Sequence, residues 1–145
     1  MRVLKQVAEA RDCLANHWVA GKTLGLVPTM GALHEGHLSL IREAMLNNEQ
    51  TIVSIFVNPI QFNNHEDLEK YPISIKEDLK ALESLGVDYV FMPTGAEIYP
   101  KPPVLNISFG HLEKVMEGKY RPGHFNGVAI IVAKLFNILS PTRAY

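Results

Sequence analysis

The sequence predicts an α/β domain with a parallel sheet flanked by helices, and three observations lead to this fold class. Short apolar runs rich in β-branched residues are typical of strands that a parallel sheet buries on both faces. Amphipathic segments separate these runs, as crossover helices do. The chain has 145 residues, enough for one domain with a real core. The three runs are Leu24–Val27, Thr51–Val57 and Val87–Met92.

The N-terminal segment has apolar residues at helical spacing, from Val3 and Leu4 to Leu14, with charged residues between them. We expect a helix here that packs on the sheet and ends before Gly21. A first strand then spans residues 23–28. This strand leads directly into a turn that is rich in glycine and histidine.

That turn joins the first strand to a helix that extends to about Asn47. Gly31 and Gly36 have no Cβ, so a ligand can approach the backbone closely. His34 and His37 are three residues apart, and they share one face if both lie in the first helical turn. Unpaired N–H groups at a helix N-terminus favour anions. Two histidines at this position would therefore suit the phosphates of a nucleotide.

Short motifs constrain function loosely, and other interpretations of the two histidines stay open. The histidines could be ordinary surface residues beside a turn, or they could be metal ligands. The sequence has one cysteine and shows no carboxylate at ligand spacing. We therefore expect no zinc site and assign no protein ligand to any metal.

The second strand ends in a stretch of uncharged hydrogen-bonding side chains, at the same edge of the sheet as the turn. Pro59 stops this strand and restricts the residue before it to an extended backbone. Asn58 and Gln61 could recognise a hydroxyl and a carboxylate without neutralising either. Loop capping explains the pair equally well, because such residues beside proline commonly close turns.

The elements around the third strand follow from local patterns. Residues 64–72 are polar and are expected to form a solvated loop. Ser74 and Glu77 have the spacing of a capping box, and the helix that they begin should end at Gly86. Residues 104–109 alternate apolar and polar side chains, which predicts a short edge strand.

Residues 118–127 form a second candidate site, with two cations, a histidine and three glycines in one loop. Arg121 could bind a phosphate or a carboxylate bidentately, although an exposed basic loop is the simpler interpretation. A helix with Val128 and Ile131 on its apolar face follows the loop. Residues 143–145 have the pattern of a further strand.

Composition narrows the classes of partner. The formal net charge is −1 and there is no basic block, so we expect no nucleic-acid partner. Cys13 has no second cysteine to pair with, which fits a reducing compartment. No apolar run approaches the roughly 20 residues that span a bilayer, and Lys5 and Glu9 interrupt any signal-peptide core. We therefore expect a cytoplasmic protein without a membrane partner.

Several strings of residues carry a family resemblance. Residues 34–37, His-Glu-Gly-His, resemble the HIGH motif of the nucleotidyltransferase superfamily. The longer string at residues 28–37, Pro-Thr-Met-Gly-Ala-Leu-His-Glu-Gly-His, is similar to the ATP site of the pantoate–β-alanine ligase (pantothenate synthetase) family. Val-Asn-Pro-x-Gln-Phe at 57–62 and Glu-Gly-x-x-Arg-Pro-Gly-His-Phe-x-Gly-Val at 117–128 extend that resemblance along the chain.

The resemblance implies a Rossmann-like nucleotidyltransferase domain over residues 1–145. Its implied reaction joins pantoate and β-alanine to pantothenate with ATP and Mg²⁺, through a pantoyl adenylate that leaves AMP and pyrophosphate. The family is usually dimeric through this half, so a homodimer is also implied. His37 would be the leading donor to the transition state and His34 the second.

The resemblance also implies which residues bind the substrates. ATP would contact the turn and the start of its helix. Pantoate or β-alanine would lie against the end of the second strand and the later helix. The implied ATP contacts are Met30, Gly31, Ala32, Leu33, His34, Glu35, Gly36 and His37, and the implied pantoate or β-alanine contacts are Gln61, Asn58, Met30, Val128 and Arg121.

Family members continue beyond the position of Tyr145 with a Gly-Glu-Lys-Asp-x-Gln-Gln segment, a Met-Ser-Ser-Arg segment and a smaller C-terminal domain. This sequence contains none of these parts, so we expect a truncated chain whose ligation is slow or undetectable. Two other function classes stay open. One is a related adenylyltransferase for another small acid, and the other is a non-catalytic chain that binds nucleotide.

Overall fold

Five parallel strands form one sheet in the computed structural model, which describes residues 1–115 and 117–145. Across the sheet the strand order is first, fourth, third, second and fifth, and every neighbouring pair is parallel. The predicted fold class is therefore confirmed. The strands are β1 (Arg2–Leu4), β2 (Leu24–Thr29), β3 (Gln50–Ile55), β4 (Tyr89–Phe91) and β5 (Arg143–Ala144).

Helices connect the strands and cover both faces of the sheet. None of them, within the described ranges, is long and apolar enough to cross a membrane. The helices are α1 (Val7–Val19), α2 (Glu35–Asn47), α3 (His65–Glu69), α4 (Ile75–Leu85), α5 (Gly95–Ile98), α6 (Glu117–Tyr120) and α7 (His124–Leu139). Two short 3₁₀ helices are also present, η1 (Pro59–Gln61) and η2 (Gly110–Lys114).

Successive residues of the central strands face two separate cores, as the two-residue period of a strand requires. Leu26 and Ile52 lie in the core that includes side chains of α1 and α7. Val27 and Val53 lie in the core that includes side chains of α2 and α4. All four side chains are fully buried. The two cores hold the central strands rigidly, and with them the loops at the carboxyl ends of these strands.

The direction of strand addition reverses at β2. From β2 the chain continues to β3 and β4 on one side, whereas β5 joins β2 on the other side. Ligands of open parallel sheets bind outside the carboxyl ends of the strands at such a switch point. Thr29 pairs with Ile55, so the segments that follow β2 and β3 start side by side at this place.

The predicted start of the N-terminal helix is wrong. Val3 and Leu4 belong to β1 and pair with Val90 and Phe91 at the edge of the sheet. The first helix begins only at Val7. The four-residue spacing of Val3 and Val7 is compatible with a helix. The pairing of Val3 and Leu4 with β4, a strand distant in the sequence, overrides this local pattern.

The segment predicted as a solvated loop, residues 64–72, contains α3. The Asn64 side chain accepts a hydrogen bond from the Glu66 N–H at 2.9 Å and so caps this short helix. Asparagine is among the preferred N-cap residues, and acidic residues in the first turn favour the same geometry. The local cap therefore outweighs the polar character of the segment.

The predicted edge strand at residues 104–109 does not form. The N–H of Ile107 donates to the Asn126 side chain at 2.8 Å, and the N–H of Phe109 donates to the Glu113 carboxylate at 2.7 Å. Side chains thus take the hydrogen bonds that a neighbouring strand would supply.

The predicted capping box of α4 is wrong in one respect. Ser74 is the N-cap residue, but its side chain makes no capping bond, and it donates instead to the Asp78 carboxylate at 3.2 Å. The helix ends at Gly86 with φ +84°, as predicted for a glycine in the left-handed region. The unexpected acceptor, Asp78, belongs to the candidate site.

Candidate active site

A cleft of about 260 Å³ opens at the carboxyl ends of β2 and β3, against α7. This volume lies just below the range of about 300–1,000 Å³ for drug-sized ligands. The cleft therefore suits a small molecule better than a whole nucleotide. Its polar side chains include His37, Asn58, Gln61 and Tyr71, with Met30 beside them. Its apolar wall on α7 is formed by Val128, Ile131, Val132 and Leu135.

The two histidines lie together at the start of α2, with ring centroids 4.1 Å apart. His34 is the N-cap residue, and its Nδ1 accepts a hydrogen bond from the Gly36 N–H at 3.1 Å. The Nδ1 of His37 accepts in turn from the His34 N–H at 3.4 Å. A neutral imidazole that accepts at Nδ1 carries its proton on Nε2. Both rings therefore offer Nε2–H as a donor.

The environment of His37 favours its neutral form. Partial burial lowers the pKa of His37 below the ordinary value of 6.5, and the neighbouring His34 lowers it further. The Asp78 carboxylate has the opposite effect but does not prevail. Protonation at Nδ1 would also end the hydrogen bond that this atom accepts from the backbone. His37 is thus a neutral donor near pH 7, and not the protonated donor that would bind an anion more strongly.

Protein acceptors hold the backbone of the turn between β2 and α2. The Gly31 N–H donates to Thr29 Oγ1 at 3.2 Å. The N–H groups of Ala32 and Leu33 donate to the two carboxylate oxygens of Asp78, at 2.9 and 2.8 Å. These three N–H groups already have partners. A nucleotide contact at this turn stays a prediction, and it would use groups other than these donors.

The amide of Gln61 is held in one orientation. Asn58 donates from Nδ2 to Gln61 Oε1 at 3.0 Å and to the Gly127 carbonyl at 3.1 Å, and it accepts from the Tyr99 hydroxyl at 2.8 Å. Gln61 Nε2 therefore points toward the sulfur of Met30, 3.0 Å away. Thioether sulfur is a weak acceptor, so a ligand oxygen would be a better partner for Gln61.

The sequence left two interpretations of Asn58 and Gln61 open, and the geometry combines them. Asn58 is almost fully buried and closes the local structure. Gln61 carries the donor that faces the cleft. Recognition of a hydroxyl or carboxylate by Gln61 stays a prediction, with Asn58 as its support.

Helix α7 lies very close to η1, and a glycine makes this approach possible. A Cβ built on Gly127 would lie 2.6 Å from the Gln61 Cα and from the Ile60 carbonyl oxygen. The Nδ1 of His124 lies 3.1 Å from the Gln61 carbonyl oxygen. The first turn of α7 therefore fixes the backbone that carries Gln61.

The segment predicted as a basic loop, residues 118–127, is largely helical, because α6 and the start of α7 lie within it. The guanidinium of Arg121 lies 3.5 Å from Glu117 and 3.9 Å from Asp67. Its partners in this structure are thus carboxylates of the chain itself. A role for Arg121 in substrate binding stays a prediction.

Three residues of the site, Asp78, Tyr99 and Tyr71, were not predicted from the sequence. Asp78 lies among the apolar positions of α4, one residue before Leu79 and four before Leu82, and a carboxylate at this spacing was the signal that it is buried. Tyr99 gave no signal, since only the fold brings it to Asn58. Burial raises the pKa of Tyr99 to about 12, so the phenol stays a donor. Burial and the charge of Asp78 also raise the pKa of Tyr71.

Comparisons with known proteins agree on one family. A family model described as pantoate-beta-alanine ligase matches residues 2–145. The chain is 50% identical over 145 residues to the pantothenate synthetase of Phocaeicola vulgatus, covering 100% of this chain and 50% of that protein. It is 51% identical over 143 residues to the pantothenate synthetase of Aquifex aeolicus, covering 99% of this chain and 51% of that protein.

Solved structures give the same result. The pantoate-beta-alanine ligase of Francisella tularensis, complexed with beta-gamma ATP and beta-alanine, superposes with a TM-score of 0.94 at 42% identity, covering 100% of this chain and 56% of that one. The Thermus thermophilus enzyme superposes with a TM-score of 0.90 at 43% identity, covering 100% of this chain and 51% of that one. The chain thus spans about half the length of the curated relatives it matches.

Proposed function

Because the chain belongs to the pantoate–β-alanine ligase family, we propose that it takes part in the ATP-dependent ligation of pantoate and β-alanine. In the first step, a carboxylate oxygen of pantoate attacks the α-phosphorus of ATP, and the bond to pyrophosphate breaks. In the second step, the amine of β-alanine attacks the acyl carbon, the bond to AMP breaks and the amine loses a proton. Pantothenate, AMP and pyrophosphate are the products.

One observation carries this proposal: a fixed amide donor, Gln61, shares a small cleft with His37, whose ring lies beside that of His34. The cleft volume of about 260 Å³ fits a branched hydroxy acid. The apolar wall of α7 would contact the hydrocarbon part of pantoate, and Gln61 would donate to its oxygens. Catalysis here would consist mainly of holding the carboxylate near the α-phosphorus.

The phosphates of ATP would lie outside the cleft, at the start of α2. The Nε2–H groups of His34 and His37 would donate to phosphate oxygens there, and the helix N-terminus adds a partial positive charge. Backbone hydrogen bonds to Nδ1 hold both rings, so these donors would stabilise the charge that develops on pyrophosphate as it leaves.

We propose that Mg²⁺ enters this reaction with ATP, and we assign no protein ligand to it. In nucleotide sites Mg²⁺ keeps several waters and binds substrate phosphates. The ion would neutralise phosphate charge.

The cytoplasm is the compartment that we propose for this reaction. The single cysteine, Cys13, cannot form a disulfide within the chain, which fits a reducing environment.

Pyrophosphate–ATP exchange tests the proposed reaction. The measurement compares rates with and without pantoate, on this chain and on a chain extended to the length of its relatives. We expect pantoate-dependent exchange in the extended chain, since adenylate formation is reversible when pyrophosphate is present. Exchange that depends on another small acid would indicate a related adenylyltransferase. Saturable ATP binding without exchange in a folded extended chain would indicate a nucleotide-binding protein instead.

We also propose that two copies of the chain associate through the exposed apolar side chains of residues 104–112. Val104 is fully exposed, and Leu105 and Leu112 are each 57% exposed. An adjoining groove on α7 includes Ile130 and Ile138. Exposed apolar side chains beside an apolar groove favour an interaction site. A second copy would cover it with a self-complementary contact.

Sedimentation analysis of a charged variant tests this association. We expect the double variant Leu105→Glu and Leu112→Glu to dissociate at protein concentrations where the parent chain is dimeric. Two unpaired carboxylates in an apolar interface would weaken the dimer at least roughly 10-fold. The matched control is Leu46→Glu on α2, a leucine that is 82% exposed elsewhere and should leave the dimer intact. A monomeric parent chain at all concentrations would contradict the proposal.

A further inference from the structure

A buried carboxylate on α4 holds the turn that leads to the histidine pair. Asp78 is 3% exposed. Its two oxygens accept hydrogen bonds from the N–H groups of Ala32 and Leu33 at 2.9 and 2.8 Å, and from the Ser74 hydroxyl at 3.2 Å. A buried charge is unfavourable unless hydrogen bonds compensate it. These three bonds to a charged acceptor provide that compensation.

Part of this turn borders open space. Met30 lines both the cleft and a second cavity of about 230 Å³, and Gly31, Ala32 and Asp78 line that second cavity. Leu33 packs against the core that includes side chains of α2 and α4. Side-chain packing therefore supports the turn at Leu33, and the hydrogen bonds to Asp78 add support beside the cavity.

The backbone of the turn also needs support because of its conformation. Gly31 has φ +83° and Ala32 has φ +50°. Glycine adopts the left-handed region readily, but alanine does so only where surrounding contacts enforce it. The bond from the Ala32 N–H to Asp78 is such a contact.

The charge of Asp78 reaches the side chains of the cleft. It raises the pKa of His37, in opposition to burial, and adds to the effect of burial on the pKa of Tyr71. A residue that only supported the fold, far from the site, would not change the pKa values of both His37 and Tyr71.

We propose that Asp78 is a positioning residue that fixes the turn at residues 31–33 and thereby aims the donors of His34 and His37. Asp78 acts through the backbone and touches no substrate. Its role in catalysis rests on the proposed function, whereas its hold on the turn does not.

The test replaces Asp78 with asparagine in the 145-residue chain. Asparagine keeps the shape of the side chain, but it exchanges one acceptor oxygen for an NH₂ group that would face a backbone donor. By NMR without any ligand, we expect amide hydrogen exchange of Ala32 and Leu33 to become at least 10-fold faster. We also expect a lower pKa of His37, because a negative charge near the ring is lost.

Asp88→Asn is the matched control. Asp88 accepts a hydrogen bond from the Thr51 N–H at 2.8 Å, so it makes the same kind of contact at the opposite end of β3. We expect faster exchange at Thr51 in this variant and no change at His37. If Asp78→Asn does not fold, Ser74→Ala must show the same changes at the turn at smaller size, since it removes one donor to the same carboxylate.

In the extended chain, Asp78→Asn should lower the kcat of pantoate-dependent pyrophosphate–ATP exchange at least 10-fold, with a smaller change in the KM for pantoate. A folded variant with unchanged amide exchange, His37 pKa and kcat would overturn the proposal. A third outcome separates the two proposals. If Asp78→Asn gives the expected NMR changes but the unmutated extended chain shows no pantoate-dependent pyrophosphate exchange, the result would support the role of Asp78 in holding the turn and refute the proposed function.

Discussion

Replacement of His37 with alanine in the extended chain should lower the kcat of pantoate-dependent pyrophosphate exchange by about 10²–10³-fold. This is the usual cost of removing one donor from a site where negative charge develops. The Nδ1 of His37 is occupied by the backbone of His34, so its Nε2–H is the group available for this role. The KM for pantoate should change much less, because we assign the binding of that substrate to Gln61 and the wall of α7 rather than to His37.

One further measurement completes the test of His37. His34→Ala should have the smaller effect of the two histidine variants on kcat. A large rise in the KM for pantoate with an unchanged kcat would contradict the assignment of His37 as a transition-state donor.

The pH dependence of stability gives an independent check on the state of His37. Its pKa in the folded chain is lower than its ordinary value of 6.5. Between these two values the unfolded chain binds more protons than the folded chain, so acid favours unfolding. The contribution of His37 is complete above pH 6.5 and is lost as the pH falls through the folded pKa. Denaturation of His37→Ala should therefore depend less steeply on pH in this window.

Gly127→Ala should destabilise the chain by roughly 3 kcal/mol or more, at the upper end of the range for over-packed cores. Helix propensity alone predicts the opposite sign, since alanine favours a helix over glycine by about 1 kcal/mol. The new Cβ would lie 2.6 Å from the Gln61 Cα, which neither backbone can accommodate without moving. The contact therefore outweighs the propensity. Urea denaturation measures the change.

Gly95→Ala is the matched control for this prediction. Gly95 also lies in a helix, and a Cβ built on it would meet nothing within 4 Å. This variant should be neutral or slightly stabilising. A folded Gly127→Ala variant should also bind pantoate more weakly in the extended chain, because Gln61 must shift with η1. Equal stabilities of the two alanine variants would contradict the close approach of α7.

The sequence was sufficient to predict the parallel sheet and the edge of the sheet at which the candidate site lies, because local patterns encode both. Apolar runs placed the three inner strands, and the end of each run placed a loop at one edge of the sheet. The histidine turn and Gln61 follow two strands that pair with each other. The ends of neighbouring parallel strands must meet, so the cleft followed from the strand assignments.

Features that depend on distant contacts were not predictable in this way. Pairing with β4, formed more than 80 residues later, makes a strand of Val3 and Leu4. Asp78 interacts with a backbone 45 residues earlier in the chain. Tyr99 reaches Asn58 from 41 residues away. No local pattern encodes such contacts, although a carboxylate at an apolar helix position signals that a buried partner exists.

The strand order also bears on how the sheet assembles during synthesis on the ribosome. β2, β3 and β4 are linked by successive crossovers and can associate as they emerge. The Leu24 N–H donates to the Thr142 hydroxyl, 118 residues later in the chain. β5, which follows Thr142, can therefore dock beside β2 only after this distant segment has been synthesised. Pairings over such separations form slowly, and until then β2 presents an unpaired edge to other nascent chains. The edge of β2 is therefore open to such pairing during synthesis and is covered only when β5 docks.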